Sequence, residues 1–296
     1  MAGKRRLDLQ LVERGLATTR QQAQGLIRSG RVRSGTHILD KPGVSYAEDV
    51  VLEVAHLPRF VSRGGEKLVA ALDALPIRVE GRVCLDGGIS TGGFTDCLLQ
   101  RGARRVYGID VGYGQIAWSL RMDPRVILRE RTNLRHLTAS DLYGPEDPWP
   151  DLAVVDVSFI SLPKTLPAVR GLLKQAKDAE ATKEASAEAT VEKPVEAVVL
   201  VKPQFEVGRE RVGKGGVVRD AGSHLDAIEG VIAAARELDW HPHGLVASPI
   251  TGPAGNHEYL LWLSTKAPEE SGGLGLDGGS LDPGWILALI KRTLAT

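Results

Sequence analysis

The nine residues Asp86-Gly-Gly-Ile-Ser-Thr-Gly-Gly-Phe94 contain four glycines and directly follow the apolar run Val83-Cys-Leu85. An apolar run, a glycine cluster and then a stretch of helical period read as a strand, a tight turn and a helix. Glycines let the backbone approach a ligand closely, and α/β sheets bind ligands at the carboxyl ends of their strands. Asp86, Gly87, Gly88, Ser90, Thr91, Gly92, Gly93 and Phe94 are therefore candidates to hold a cofactor. The spacing is not the G-x-G-x-x-G of dinucleotide enzymes, although an adenine dinucleotide satisfies the same physics. A strand-to-helix turn with no ligand is the plainer alternative. About twenty residues on, Val106-Tyr-Gly-Ile-Asp110 ends the next strand in an acid, where nucleoside-binding folds hydrogen-bond ribose hydroxyls. Asn133, within Arg129-Glu-Arg-Thr-Asn-Leu-Arg135, is placed to meet an adenine edge, and a solvated charged loop explains the same residues.

Two more strand ends carry charge: Asp156 in Asp156-Val-Ser-Phe-Ile-Ser161 and Lys202 in Val201-Lys-Pro-Gln-Phe-Glu206. A lysine at the tip of a buried strand is expensive to desolvate unless it is paired or used, which makes Lys202 a candidate for the chemistry itself. The two cysteines, Cys84 and Cys97, form no CxxC spacing and no Cys/His cluster. Neither a disulfide framework nor a metal site is expected, and core packing is their ordinary role.

To bring these strand ends together the chain must alternate. Strands are expected at residues 82–86, 105–110, 126–129, 152–156 and 197–202, with helical periods at 92–101 and 162–175. Such alternation predicts an α/β domain built on a doubly wound, mostly parallel sheet. Residues 223–238 carry an amphipathic helical pattern, and 244–249 with 258–263 suit a closing antiparallel pair. Residues 5–58 read as a separate small α+β module. A helix starting at Leu7 stops near Gly15, Thr19 caps a second helix over 22–29, and strands follow at 31–33, 37–39 and 50–54. Residues 59–65 read as a connector and 66–265 as the larger domain. The Ala/Glu/Lys-rich segment 176–193 reads as an insertion, and 266–296 as a flexible Gly-rich tail with a short C-terminal helix.

Composition narrows the partners. A hydrophobic fraction of 43% and a charged fraction of 25% are those of a globular protein rather than a disordered one. No apolar run approaches the roughly 18 residues of a membrane span, which sets the default at a cytoplasmic protein. The formal net charge of zero conceals an asymmetry. Residues 1–67 hold twelve Lys and Arg against seven Asp and Glu, whereas the remainder holds 25 against 30. A basic N-terminal block suits a polyanion such as nucleic acid, and a solvated basic helix face is the commoner origin of such a block.

The order of two helices and then strands in residues 5–58 resembles the S4 RNA-binding domain, with Arg28-Ser-Gly-Arg-Val-Arg33 at its basic strand entry. That resemblance implicates Arg20, Arg28, Arg31 and Arg33 in gripping structured RNA. The whole chain resembles the TlyA (hemolysin A) family of ribosomal RNA 2′-O-methyltransferases, whose catalytic domain is of the FtsJ type. The matching segments are Ser62-Arg-Gly-Gly-Glu-Lys67, Asp86–Phe94, Glu130–Arg135, Asp156–Ser161, Val201–Glu206 and Gly255-Asn-His-Glu-Tyr259. Asp86-Gly-Gly-Ile-Ser90 departs from the more frequent Asp-Val/Ile-Gly-Ala-Ser while keeping the loop small. The resemblance implies a Rossmann-like fold, S-adenosylmethionine as cofactor, ribosomal RNA or ribosomal subunits as partner, and a catalytic set of Lys67, Asp156, Lys202 and Glu258.

The implied reaction moves a methyl group onto a ribose 2′-hydroxyl, with cytidine of 16S or 23S ribosomal RNA as the target. In-line alignment makes positioning a large share of the acceleration. If Lys202 is the base, its pKa must fall from about 10.4 to roughly 7–8, a shift worth about 4 kcal/mol. A charged Lys202 that stabilises an alkoxide is the other role open to it. Three further readings compete: an NAD-linked oxidoreductase, a non-catalytic RNA-binding ribosome-assembly factor, and a membrane-active hemolysin. The first lacks its fingerprint, the second leaves the Lys/Asp/Lys/Glu set without purpose, and the third has no membrane-seeking segment.

Overall fold

The structure, a computed structural model, describes residues 3–55, 58–174, 194–267 and 281–296. The expected insertion at 176–193 and the Gly-rich stretch 268–279 lie outside the described residues. The chain divides into two compact units, Met1–Pro58 and Arg59–Thr296.

In the first unit, strand β1 (Lys4–Arg6) leads into helix α1 (Leu7–Glu13) and helix α2 (Arg20–Arg28). Thr19 accepts from the Gln22 N–H and so caps α2, satisfying one of the donors a helix start leaves free. Strands β2 (Val32–Ser34), β3 (His37–Ile38) and β5 (Glu53–Val54) form an antiparallel sheet in the order β3-β2-β5. Leu7, Leu11, Ala23, Ile27 and Val32 close the core beneath it. Strand β4 (Ser45–Ala47) pairs antiparallel with β1, a two-stranded ribbon that the sequence does not announce. Lys4-Arg-Arg6 shows no apolar alternation, so only its distant partner makes it a strand.

The second unit is organised by one sheet. Its strands are β6 (Val83–Gly87), β7 (Arg105–Ile109), β8 (Val126–Arg129), β9 (Leu152–Val155), β10 (Glu196–Val201), β11 (His241–Ala247) and β12 (Tyr259–Ser264). They lie in the order β11-β12-β10-β9-β6-β7-β8. The five from β10 to β8 are parallel, and β12 and β11 add an antiparallel edge. The chain runs outward from β6 to β8 and then returns to β9, so the winding reverses between β6 and β9. That switch point is where such sheets open a crevice for a ligand.

Both faces of the sheet are covered, which explains why its strands are continuously apolar. Leu85, Val155 and Val199 face one core layer, whereas Cys84, Val154 and Val198 face the other. Both cysteines are buried in this packing and unpaired. Helix α3 (Gly64–Ala74) and helix α4 (Gly93–Gln100) build one layer through Leu68 and Leu98. Short helices α5 (Trp118–Arg121) and α6 (Ala139–Leu142) connect the next strands. The helix expected over 162–175 is broken into a 3-10 turn, Leu162–Lys164, and helix α7 (Leu166–Gly171). Pro163 and Pro167 each lack the N–H that a continuous ladder needs. After α8 (Pro203–Glu206) comes the long helix α9 (Ala221–Arg236), with Asp220 as its cap. Helix α10 (Pro283–Leu294), expected within a flexible tail, buries Ile286, Leu289 and Ile290 in the core layer of α9.

The short connector ahead of α3 is packed. Phe60 is buried, Val61 donates its N–H to Asp96, and Gly64 and Gly65 already belong to α3. A Cβ on Gly65 would collide with the Phe60 ring, so the turn into α3 closes only with glycine there.

Candidate active site

The strand ends deliver charged groups to one edge of the sheet. Asp110 follows β7, Asp156 follows β9, and Lys202 follows β10. Glu258 immediately precedes β12; because β12 is antiparallel, with Tyr259 opposite Val201, its first residues lie at the same edge. Lys67 comes from the first turns of α3. The fold thus brings together four residues spread over nearly two hundred positions.

They meet as two ion pairs. Lys67 Nζ donates to Glu258 Oε2 at 2.5 Å, and Lys202 Nζ lies 2.6 Å from Asp156 Oδ1. Lys202 also donates to the Ser158 hydroxyl at 2.8 Å, a partner the sequence reading did not single out. Lys67, Lys202 and Glu258 are buried, and the Asp156 side chain keeps 22% of its surface exposed. Buried ion pairs seldom repay their desolvation in stability, so two of them at a ligand crevice are better explained by chemistry. An ammonium has three N–H donors. Lys67 has one partner among the described residues and Lys202 two, which leaves donors free for a bound molecule.

Beside the pairs the glycine loop forms the floor of a cleft. Lys67, Asp156, Gly88, Ser90, Thr91, Gly93 and Phe94 line it, as expected candidates. Ser62, Arg63 and Gly64 line it too, as do Ile250, Thr251 and Pro253. These six carry no distinguishing signal in the sequence, although the first three lie in the hexamer that ends at Lys67 and the last three just ahead of Gly255. Two glycines are obligatory. Gly88 has φ +91° and Gly92 φ +95°, and a Cβ would strike the Asp156 carbonyl at one and Leu120 at the other. The close approach holds the β6 turn against β9, where the Asp156 N–H donates to the Gly87 carbonyl at 2.9 Å.

Asp86 sits below the cleft rather than in it. It is fully buried; Oδ2 accepts from the Thr95 hydroxyl at 2.6 Å, and Oδ1 has no partner among the described residues. Burial pushes its carboxyl up to about 7, against the hydrogen bond from Thr95. Asp110 is half-buried and capped by backbone, with Oδ2 accepting from the Ser90 N–H at 2.7 Å and Oδ1 from the Gly112 N–H at 2.6 Å. Each carboxylate oxygen retains a lone pair for a further donor. Asn133 does not line the cleft. Its Oδ1 accepts from the Arg135 N–H and caps a 3-10 turn, leaving the amide N–H groups toward solvent.

Phe159 stands beside Ser158 and is 92% exposed, in a left-handed conformation with φ +63°. Its ring centroid is 5.3 Å from that of Phe205. Strained backbone and a solvated aromatic next to the ion pairs are features that no spacing rule in the sequence announced.

In the first unit, Arg28 and Arg33 are exposed and Arg31 half-buried, and none has an acidic partner among the described residues. Arg20 is different, because its Nε donates to the buried Asp8 at 2.9 Å. Asp8 also accepts from Arg6 and Gln24, and the Arg6 hydrogen bond chiefly holds its carboxyl well below the usual range.

These features have counterparts in known proteins. An FtsJ-like methyltransferase model matches residues 60–265, and an S4 domain model matches residues 5–47. The chain is 47% identical to the 16S/23S rRNA (cytidine-2'-O)-methyltransferase TlyA of Mycobacterium tuberculosis over 94% of this chain and 96% of that one. It is 36% identical to Hemolysin A of Brachyspira hyodysenteriae over 86% and 98% of the two chains. A solved structure from Streptococcus thermophilus that carries a hemolysin name is 35% identical, covers 99% of this chain and 96% of its own, and superposes with a TM-score of 0.66. The chain belongs to the FtsJ-like methyltransferase family, among the TlyA (hemolysin A) proteins that carry an S4 domain ahead of the catalytic fold.

Proposed function

We propose that this protein methylates a ribose 2′-hydroxyl of ribosomal RNA, on cytidine, with S-adenosylmethionine as methyl donor. The observation that carries the reading is the double ion pair, Lys67 with Glu258 and Lys202 with Asp156, one member of each lining the glycine-lined cleft. The cytidine 2′-O specificity rests on what the Mycobacterium tuberculosis relative is named for.

The residues fit the cofactor. Gly88, Ser90, Thr91 and Gly93 line the cleft with little side-chain bulk, and Asp86 Oδ1, without a partner among the described residues, offers an acceptor beneath that floor. Asp110 has acceptor capacity for ribose hydroxyls. When bound, S-adenosylmethionine supplies an electrophilic methyl group.

The chain's own work is to position and deprotonate the acceptor. Asp156 and Ser158 fix Lys202 Nζ, which meets the reacting hydroxyl. Glu258 holds Lys67, which lines the same cleft as Asp156, and the remaining N–H groups of Lys67 orient the acceptor ribose. A neutral Lys202 takes the hydroxyl proton onto Nζ; a charged Lys202 instead holds the oxygen by its charge while the proton leaves to solvent, and the pH profile of kcat separates the two. Phe159, exposed beside Lys202, offers a stacking face for a base. Residues 5–58 grip the RNA through Arg28, Arg31 and Arg33, with Arg20 oriented by Asp8. A ribosomal target places the protein in the cytoplasm, and no helix among the described residues is long and apolar enough to cross a membrane.

Transfer of a labelled methyl group to unmethylated ribosomal subunits, followed by mapping of 2′-O-methyl sites, tests the reading. Label on cytidine ribose is expected. Label confined to bases, or none with folded protein and cofactor present, refutes it.

A further inference from the structure

We infer that the loop from Gly208 to Arg219 is a clasp for RNA phosphates, with Arg209, Lys214 and Arg219 as its contacts; the inference rests on the RNA reading above. The loop leaves α8, a single turn that begins directly after Lys202. Five residues therefore separate its start from Lys202, a reach of at most about 15 Å along a turn and extended chain.

Its cations fall into two kinds. Arg211 is a structural staple, donating to the Ser223 hydroxyl at 3.0 Å and pairing with Asp226 at 2.7 Å on α9. Arg209, Lys214 and Arg219 are exposed and have no acidic partner among the described residues. The loop's one acid is Glu210.

The backbone that carries these three charges is pinned. Asn256, almost fully buried, accepts from the Val218 N–H at 3.0 Å and donates to the Gly216 carbonyl at 2.8 Å. The ring of buried His224 lies with Nε2 3.0 Å from the Val218 carbonyl. Val218 itself is 1% exposed. Gly215 and Gly216 are both left-handed, at φ +80° and +77°, and the chain folds back so that the Gly213 N–H meets the Val217 carbonyl at 3.0 Å. That fold-back lays the Arg219 guanidinium along the flank of Gly213, one residue from Lys214. Asn256 lies two residues before Glu258, so the pin ties the basic loop to the catalytic edge.

Cations that serve only solubility need no fixed backbone. Three unneutralised cations held in place beside a ribose-modifying site match a repeating chain of phosphates, which arginine meets bidentately and lysine as a point charge. Their spread over an open surface fits a polyanion rather than a single small anion.

The test uses the full chain with Arg209→Ala, Lys214→Ala and Arg219→Ala combined, titrated against ribosomal RNA stripped of protein. At 0.1 M salt the affinity is expected to fall at least about ten-fold, and the slope of log affinity against log salt to become shallower by about two to three. The KM for ribosomal subunits rises in step, while calorimetry gives an unchanged affinity for S-adenosylmethionine. Arg209→Lys with Arg219→Lys restores most of the binding, because the charge is kept. Unchanged RNA affinity and slope in the triple variant overturn the clasp. So does a loss seen with assembled subunits but not with bare RNA, which points to an acidic protein partner. A wild-type protein that neither binds RNA nor transfers methyl groups refutes the RNA reading itself, a result distinct from either.

Discussion

Two clusters of buried charge sit at opposite edges of the same sheet, and they are built on opposite terms. At the amino ends of the strands, Arg82 precedes β6, Asp151 precedes β9, and Glu196 opens β10. Arg82 donates to Asp151 Oδ1 at 2.7 Å, to Glu196, and to the Asp151 and Pro194 carbonyls, while Trp262 Nε1 donates to the other Glu196 oxygen at 2.9 Å. Nearly every donor of the guanidinium is used, which is what makes a buried polar network tolerable. At the carboxyl ends Lys67, Glu258 and Lys202 are comparably withdrawn from water and Asp156 is partly exposed, yet the lysines keep donors to spare among the described residues. The amino-end cluster is closed and the other open. Unequal satisfaction of buried donors separates a structural lock from a site that waits for a ligand.

The contrast breaks most visibly at Arg82. Arg82→Ala removes the main partner of two buried carboxylates, and chemical denaturation is expected to show a loss of about 3–5 kcal/mol with little change in the turnover of the molecules that remain folded. Equal loss of stability and turnover would erase the distinction. Lys202→Met should do the reverse, lowering kcat about 10³-fold, worth about 4 kcal/mol of transition-state stabilisation, with a smaller loss of stability than Arg82→Ala because the Asp156 it leaves unpaired is partly exposed.

Asp86 lies between these extremes, buried like the lock but left with one orphaned oxygen. Its folded pKa, near 7, is above its unfolded value, so its contribution to stability is present in full below about pH 4 and lost as pH rises through 7. Asp86→Asn should therefore raise stability at pH 8 by on the order of 1–3 kcal/mol relative to the parent, with no gain at pH 4. Cofactor affinity in calorimetry should fall in the same variant. A pH-independent difference would remove the burial argument. The smallest effect belongs to Phe159, whose left-handed backbone is relieved by glycine. Phe159→Gly should gain about 1 kcal/mol in thermal unfolding while raising the KM for RNA, and a loss of stability would show that the ring packs rather than waits.

Much of the catalytic domain is legible in the sequence. Strands β6 to β10 appear within a residue of their expected bounds, because each is a short apolar run ended by a charged or glycine residue. Lys202 and Asp156 are legible for the same reason: they are charges at the tips of buried strands. The expected helix over 162–175 fails where prolines interrupt it, and β1 and β4 go unseen because their pairing is made across forty residues. Phe159 carries no sequence signal, since its exposure and its positive φ are properties of the turn it occupies. The Asn256 pin lies in a pentamer the sequence singled out, but its bonds to Gly216 and Val218 depend on how two distant loops meet.

The sequence alone determined the periodicities, the glycine turn that only small residues can make, and the basic bias of the first sixty-seven residues. Those follow from local sterics and from charge content, which act without regard to distant partners. Tertiary structure alone decided which charges are satisfied. Whether a lysine donor is spent on a carboxylate or left facing a cleft depends on where strands from separate parts of the chain end, and on the antiparallel β12 that returns Glu258 to the edge where Lys67 waits.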